Sequence, residues 1–240
     1  MNAPATLPLA NACSACAIRN RAICADLDEA ELALLNTLGR QRYLQPGEQL
    51  LWEGEEAVLV ANVVEGVLKL FTQTGEGKEQ ILGLAYASDF IGRPFGETTP
   101  YGVEALSAAH VCVFRRGDFD RFAREHPRLE HKLLERTLVE LDRTRRWMLL
   151  LGRMNAEQRV ARFLLETADR LAGEGCGGAA APNATFTLPL SRQQIADVLG
   201  LTIETVSRQF TRLKADGVID LPARREVAIL GRAELEDRTG

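Results

Sequence analysis

Residues 191 to 217 read SRQQIADVLGLTIETVSRQFTRLKADG, and this stretch decides the fold of the C-terminal part of the chain. Ser191 with Gln194 three residues later is a capping box, which predicts that a short helix begins there. Gly200 predicts a turn, and Thr202 can cap a second helix after it. Two short helices joined in this way predict a helix-turn-helix motif, in which the second helix enters the major groove of DNA.

The second helix has an apolar stripe and a polar face, which its spacing separates. The stripe consists of Ile203, Val206, Phe210 and Leu213. The outward face carries Glu204, Ser207, Arg208, Thr211 and Arg212. Arg208 can fork onto guanine O6 and N7, Glu204 can accept from cytosine N4, and Ser207 can contact a base edge. These three side chains are the predicted base contacts.

Contacts to phosphates are predicted around the motif and in the tail from Val218 to Leu230, which resembles a β-hairpin wing. Residues 191 to 225 hold six Lys or Arg and four Asp or Glu, so the local charge is six minus four, or +2, against -4 overall. This excess answers only in part the objection that DNA-binding domains are usually basic. An amphipathic helical pair with a solvated polar face is the structural alternative. The predicted backbone contacts are Arg192, Thr211, Arg212, Lys214, Arg224 and Arg225.

Upstream of the motif, residues 118 to 172 contain few glycines and are predicted to be helical. An apolar series with alternating steps of four and three residues forms one seam of a coiled-coil pair, and a helix packed on its own domain explains the series equally well. Arg145 lies in the seam, where a charge weakens pairing unless it is solvated or paired. A dimer that is only just stable enough to form suits a switch. The predicted dimer residues are Leu134, Leu138, Leu141, Arg145 and Met148.

Residues 27 to 116 alternate turn signals with short apolar stretches such as Val67 to Phe71 and Val111 to Phe114. This spacing predicts an antiparallel barrel or sandwich. A Gly- and Ala-rich stretch, 173 to 181, precedes the last sixty residues, which begin with a strand-like segment from Thr185 to Leu190.

Composition limits the class of protein. A chain of 240 residues that is 46% apolar and 26% charged suits about two domains of a soluble protein. Its apolar runs are too short to span a bilayer, and its N-terminus lacks a secretory signal, so we expect a cytoplasmic protein with no membrane contact. It has no Gly-rich phosphate loop and no Ser/His/Asp set, so we do not expect an enzyme. In the cytoplasm, five cysteines indicate metal or redox chemistry rather than disulfides.

Cys13, Cys16 and Cys24 form a C-x2-C-x7-C pattern. Thiolates suit zinc and iron–sulfur clusters, both of which usually take four ligands, and the spacing does not choose between them. Cys112 lies in an apolar strand, where a small core residue is the alternative interpretation. Cys176 is predicted to be a free thiol. The other candidates for the fourth ligand show no ligand spacing; they are His110, His126 and His131.

The three cysteines, the glycine-punctuated sheet, the long helix and the ETVSR of residues 204 to 208 together resemble the FNR branch of the CRP/FNR superfamily. The resemblance runs from Cys13 to the wing, and the seven-residue gap before Cys24 is similar to that of FnrL-type members. It implies an α+β fold with a jelly-roll-like, double-stranded β-roll sensor domain and a C-terminal winged helix-turn-helix. The implied parts are a cluster-binding arm (1–26), the β-roll (27–126), a long dimerisation helix (127–157) and the DNA-binding domain (158–240).

The resemblance also implies a function. Family members carry a [4Fe-4S] cluster on three N-terminal cysteines and one from the sensor domain, and Cys13, Cys16, Cys24 and Cys112 match these positions. The family's E-x-x-S-R pattern reads TTGAT half-sites, and Glu204, Ser207 and Arg208 match it. The resemblance therefore implies an oxygen-responsive homodimer that binds TTGAT-N4-ATCAA-like palindromes in double-stranded DNA under anaerobic conditions and contacts RNA polymerase.

Two positions depart from the wider family. Cyclic-AMP-binding members hold the cyclic phosphate with an Arg-Ser pair, whereas residues 96 to 104 have no arginine and carry Glu97 and Glu104. We therefore expect no cyclic nucleotide. Arg145 stands where some relatives have an acidic residue. The alternative function is a DNA-binding regulator with a structural zinc or no metal, which senses another signal.

Overall fold

The structure is a computed structural model that describes residues 13, 15–73, 75, 77, 79–172 and 185–240. The chain divides into two compact units, Met1–Leu141 and Asp142–Gly240. Cys176, the predicted free thiol, lies outside the described residues. Within the described ranges, no helix has both the length and the apolar character needed to cross a bilayer.

The first unit consists of antiparallel strands with helices before and after them. In chain order its elements are α1 (Glu29–Leu38), β1 (Gly39–Leu44), β2 (Gln49–Leu51), β3 (Leu59–Glu65), β4 (Leu68–Gln73), β5 (Glu79–Ala85), β6 (Phe90–Gly92), β7 (Gly102–Ala105), β8 (Ala109–Arg115), α2 (Arg116–Glu125) and the start of α3 (Pro127–Arg153).

The strands form two four-stranded sheets, with the orders β1-β8-β3-β6 and β2-β7-β4-β5. Side chains alternate between the two faces of each strand, and the inward set forms an apolar core between the sheets. That core includes Ala61, Val63, Leu68, Val103 and Val111. The predicted β-roll is confirmed.

A second core, which we call the outer core, lies on the other face of the sheet that contains β3 and β8. Val60 of β3 and Phe114 of β8 contribute from the sheet. The chain before α1, which we call the arm, packs onto this face through residues that are buried almost completely. The outer core also includes Ile18, Ala22, Ile23, Leu27, Leu32, Leu35, Phe119, Phe122, Leu129 and Leu133.

Helix α1 lies in a range for which only strands are predicted, so that prediction is wrong. Asp28 accepts a hydrogen bond from the Glu31 amide at 2.9 Å, and Glu31 accepts one from the Asp28 amide at 2.9 Å. This capping box starts α1, whose Leu32 and Leu35 reach the outer core. The predicted end of the dimerisation helix is also too late, because α3 ends at Arg153.

The second unit contains the rest of α3 and the predicted DNA-binding elements. After α4 (Ala156–Ala172) follow β9 (Thr185–Thr187), α5 (Arg192–Leu199), α6 (Ile203–Ala215), β10 (Ile219–Asp220), β11 (Glu226–Ile229) and α7 (Arg232–Asp237). The strands pair antiparallel in the order β10-β11-β9, so the predicted wing hairpin is present. Phe163 and Leu164 of α4, Ile195 of α5 and Phe210 of α6 are buried in this unit.

Candidate DNA-binding and metal-binding sites

Caps fix where α5 and α6 begin and end. Ser191 Oγ accepts from the Gln194 amide at 3.2 Å, and the Gln194 side chain accepts from the Ser191 amide at 2.9 Å. Gly200 ends α5 with a φ of 60°, a left-handed conformation that glycine adopts without strain. Thr202 Oγ1 accepts from the Thr205 amide at 3.3 Å and starts α6. The helix-turn-helix is therefore built as the sequence predicts.

Helix α6 has one buried and one exposed face. Val206, Phe210 and Leu213 are buried as predicted, whereas Ile203 is 37% exposed and contributes little to the core. The opposite face is open to solvent along its length. It presents the predicted base contacts Glu204, Ser207 and Arg208, with Thr211 and Arg212 one turn further on.

The exposed face combines an acceptor with a fork of donors. The backbone amide of Glu204 and the Thr202 hydroxyl hold the pKa of the Glu204 carboxyl below its usual value, and Arg208 adds a smaller lowering. An ionised carboxylate only accepts hydrogen bonds, and a guanidinium only donates them. This pair of groups is complementary to the cytosine N4 donor and the guanine O6 and N7 acceptors.

The predicted phosphate contacts differ in how they are engaged. Arg224 and Arg225 are exposed in the turn of the wing. Arg212 pairs with Glu157 at 3.1 Å on the surface. The Thr211 hydroxyl donates to the helix backbone at 3.0 Å. Surface ion pairs contribute little free energy, so a phosphate can displace the partner of Arg212.

Lys214 and Arg192 complete the predicted set. Lys214 pairs with Asp220 at 2.9 Å, again on the surface. Arg192 stacks on Phe210 with its guanidinium carbon 3.3 Å from the ring centre, and burial lowers its pKa to about 10. Arg192 therefore holds α5 against α6, a role that differs from the predicted phosphate contact.

Arg159 joins elements of the second unit through its guanidinium, a role that no sequence pattern predicts. Its Nε donates to Met154 O at 2.9 Å, its Nη1 to Leu199 O at 2.9 Å and its Nη2 to Leu151 O at 2.8 Å. Leu151 lies in the last turn of α3 and Leu199 ends α5. Because helix C-terminal carbonyls carry partial negative charge, one guanidinium joins two helix ends. No local sequence pattern marks this residue, since its partners lie up to 40 positions away.

Helix α3 carries apolar side chains on two nearly opposite faces. Leu129, Leu133 and Leu150 are buried. The predicted seam points away from them, and its apolar members, Leu134, Leu138, Leu141 and Met148, are 42% to 70% exposed. Arg145 is exposed and pairs with Asp142 on the same helix at 3.2 Å. The seam is thus an apolar stripe that a second helix can cover.

The cysteines of the arm lie against the outer core. Cys24 is buried in it, and Cys13, Cys16 and Cys112 are half-buried and pack against it. Cys112 reaches the outer core because it lies on the same face of β8 as Phe114, two residues on. The Cys13 thiol donates to Asn36 Oδ1 at 3.1 Å. The fold therefore brings all four predicted ligands to one apolar region.

The thiols influence one another's protonation. Burial raises the pKa of Cys24 to about 11, with a further increase from Cys16 and Cys13. Burial raises the pKa of Cys112 to about 12, and Cys13, Cys16 and Cys24 each add to it. All four are free cysteines, and without a cation to stabilise them Cys24 and Cys112 stay protonated at neutral pH.

Each of the three histidines contacts another group. His110 stacks on Tyr43 with ring centres 4.5 Å apart, and its Nε2 is buried without a hydrogen-bond partner. His126 Nδ1 contacts Phe122 O at 2.7 Å. His131 pairs with Glu135 at 3.3 Å on the exposed side of α3. The four cysteines are the predicted ligands that pack against the outer core.

This donor set fits an iron–sulfur cluster or a zinc ion, because both take four thiolates and a bound cation deprotonates a coordinating thiol. In the part of the chain that the structure describes, no group of three or more His, Cys, Asp or Glu side chains already stands at metal-binding geometry. The four sulfur atoms have to draw together around the metal.

Comparison with known proteins shows the family. The Crp-like helix-turn-helix domain matches residues 158–238, and the cyclic nucleotide-binding domain matches residues 41–126. The transcriptional activator protein FnrL of Cereibacter sphaeroides is 42% identical over 228 residues, which are 95% of this chain and 92% of that protein. The chain belongs to the CRP/FNR family. It lies in the FNR branch, as the resemblance in the sequence implies.

Other members of the CRP/FNR family agree with this assignment. The nitrogen fixation regulation protein FixK of Bradyrhizobium diazoefficiens is 41% identical, over 88% of this chain and 87% of that protein. The solved structure of FixK2 from Bradyrhizobium japonicum has a TM-score of 0.75 and 31% identity, and covers 84% of this chain and 98% of that one. The protein is therefore a DNA-binding transcription regulator and not an enzyme, as predicted.

The matched sensor domain has an acidic segment at residues 96 to 104, where cyclic-AMP-binding members hold the phosphate. Glu104 pairs with the buried Lys69 at 3.2 Å, and Glu79 lies 2.7 Å from the same ammonium. The charge of Glu104 is therefore offset within the sheet. Glu97 remains exposed.

Proposed function

We propose that this CRP/FNR regulator responds to oxygen through a [4Fe-4S] cluster held by Cys13, Cys16, Cys24 and Cys112. With the cluster bound, the chain pairs through α3 as a homodimer and binds TTGAT-N4-ATCAA-like palindromes, and oxygen switches binding off. The observation that carries the proposal is the meeting of four thiols, three from the arm and one from β8, at one apolar core.

The cysteines provide the link between the signal and the fold. When bound, the cluster supplies four iron–thiolate bonds that tie the arm to β8 and that oxygen destroys. Cys112 lies on β8, and Phe114 on the same face belongs to the outer core with Leu129 and Leu133 of α3. The position of the arm is therefore coupled to the N-terminal end of α3, the helix that carries the seam.

The seam provides the output. Its exposed leucines favour pairing. Covering Arg145 removes water from a charge that only Asp142 offsets, which opposes pairing, so we place the monomer and dimer close in free energy. A ligand that moves such an equilibrium from 1:99 to 99:1 binds the favoured state about 5.5 kcal/mol more tightly than the other. Four iron–thiolate bonds can supply this difference, whereas an exposed ion pair cannot.

Two partners follow from the same proposal. Relatives such as FnrL are named transcriptional activators, which favours contact with RNA polymerase once the dimer is on DNA. A cyclic nucleotide is not part of the proposal, because residues 96 to 104 offer no arginine for its phosphate and Glu97 repels it.

An anaerobic gel shift on a TTGAT-N4-ATCAA duplex, repeated after exposure to air, tests the proposal. We expect tight anaerobic binding by the wild type that is lost in air. Cys112→Ser should abolish anaerobic binding, whereas Cys176→Ser, which removes a thiol the proposal does not use, should retain it. Anaerobic binding by Cys112→Ser equal to that of the wild type contradicts the role of Cys112.

The visible spectrum separates iron from zinc. Protein purified anaerobically should be brown, with absorption near about 400 nm that disappears in air, as expected for a thiolate-bound iron–sulfur cluster. Colourless protein that carries zinc, with DNA binding indifferent to air, overturns the proposal in favour of a structural metal.

A further inference from the structure

Two polar atoms are buried without a hydrogen-bond partner beside the four thiols. One is Oδ1 of Asn62, a side chain that is only 2% exposed. The other is Nε of Arg19, in the arm between Cys16 and Cys24. Because buried polar groups in folded proteins nearly always have a partner, two orphaned groups at one place point to something that binds there.

The pairing of β3 with β8 places Asn62 beside Cys112. Asn62 on β3 is the Cα partner of Cys112 on β8, so their side chains stand next to each other on one face of the sheet. Val60 and Val64, two residues away on either side, point to the same face and pack in the outer core. The Asn62 amide therefore enters that core beside the Cys112 sulfur.

Arg19 approaches the thiols from the arm. The Arg19 amide donates to Cys16 O at 3.1 Å in the turn that follows Cys16, so the residue lies beside the thiols of the arm. A guanidinium stays charged at any pH the protein meets and donates through five N–H groups. Among the described residues, Arg19 Nε is a donor that is buried without a hydrogen-bond acceptor.

We propose that Asn62 and Arg19 are positioning residues of the metal centre, which donate hydrogen bonds to its sulfur atoms from opposite sides. Rotation of the Asn62 amide by half a turn exchanges Oδ1 and Nδ2, so the amide can present a donor where the orphaned Oδ1 now lies. Arg19 donates to a sulfur of the arm and balances the negative charge of the four thiolates. This inference rests on the proposed function. Hydrogen bonds to cluster sulfurs raise the reduction potential and hold ligands in place.

The test uses the full chain, loaded anaerobically with ferric iron, ferrous iron and sulfide. Asn62→Leu keeps the size of the side chain without its amide, and Arg19→Met keeps the length without the charge. Thr99→Val, at another buried polar position of the same unit, and Arg21→Met, in the same arm, are the matched controls. The measurements are the reduction potential of the bound centre and the rate at which an anaerobic chelator removes iron.

We expect Asn62→Leu and Arg19→Met to lower the reduction potential and to lose iron about tenfold faster than the wild type, with both controls unchanged. Wild-type values in both variants overturn the inference and leave the proposed function intact. Wild-type protein that takes up no iron and sulfide overturns both.

The melting temperature of metal-free Asn62→Leu separates positioning from folding. Replacing an orphaned buried polar group by an apolar group of similar shape need not destabilise the fold. A lowered reduction potential with a wild-type melting temperature supports the inference. A lowered melting temperature with a wild-type potential shows a purely structural role and contradicts it.

Discussion

Replacing Arg159 with methionine should destabilise the second unit by about 2–3 kcal/mol. The guanidinium donates three hydrogen bonds of 2.8 to 2.9 Å to carbonyls at the ends of α3 and α5 and in the turn before α4. A hydrogen bond contributes roughly 0.5–1.5 kcal/mol, or roughly 1.5–3 kcal/mol with a charged partner shielded from water, so partial exposure places each of these bonds near about 1 kcal/mol. Two of the three bonds are partly buried and one is exposed, which gives the total.

Urea denaturation followed by the fluorescence of Trp147, which lies in the second unit, measures the effect. Arg159→Lys should recover only part of the loss, because one ammonium cannot reach three carbonyls in fixed directions. Arg153→Met, which removes an exposed arginine at the end of α3, is the control. A free energy of unfolding for Arg159→Met within about 0.5 kcal/mol of the wild type, the range of ordinary surface changes, would refute the reasoning.

Three further predictions concern the seam, the DNA face and the thiols. Leu138 is 52% exposed in the seam, and Leu138→Glu should convert the dimer to a monomer in sedimentation. Val139 is 49% exposed outside the seam, and Val139→Glu should leave the dimer intact. A dimer that persists in Leu138→Glu contradicts pairing through the seam. Arg208→Ala should cost about 1–3 kcal/mol of preference for guanine in gel shifts on base-substituted operators, and Arg212→Ala should instead weaken binding to every sequence alike. In the metal-free protein, burial in the folded state raises the pKa of the Cys24 thiol from 9.0 to about 11. The protonated thiol therefore makes its full contribution to the free energy of unfolding below pH 9.0, and this contribution is lost as the pH rises to about 11. In Cys24→Ala, the free energy of unfolding should therefore fall less than in the wild type between these two pH values. A pH dependence equal to that of the wild type contradicts this role of Cys24.

Local signals predicted the DNA-binding elements accurately. The caps at Ser191 and Thr202 and the left-handed Gly200 appear where the sequence places them. Each depends on residues within three positions of one another, so a linear pattern contains all the information. Asp28 with Glu31 is the same kind of signal and starts α1. This helix is not predicted because the range that follows it is read as strands.

The sequence alone does not predict the register in which distant strands pair. Cys112 and Asn62 become neighbours because β3 and β8 pair antiparallel, although 50 residues separate them. A slip of β8 by one residue against β3 would turn Cys112 to the core between the sheets and leave Asn62 without it as a neighbour. Resemblance identified Cys112 as a candidate ligand, and nothing in the pattern around Asn62 distinguishes it from other polar residues in strands. The packing of the arm was likewise not predicted, because turn-rich segments rarely form a core.

The arm is secured by Ile18, Ala22 and Ile23, each at most 2% exposed, and this anchoring does not depend on any bond to sulfur. Under the proposed function, the cysteines of an arm attached in this way would stay beside Cys112 after loss of the cluster. Rebuilding the cluster would then require no segment to refold, so the same chain could serve through successive aerobic and anaerobic periods.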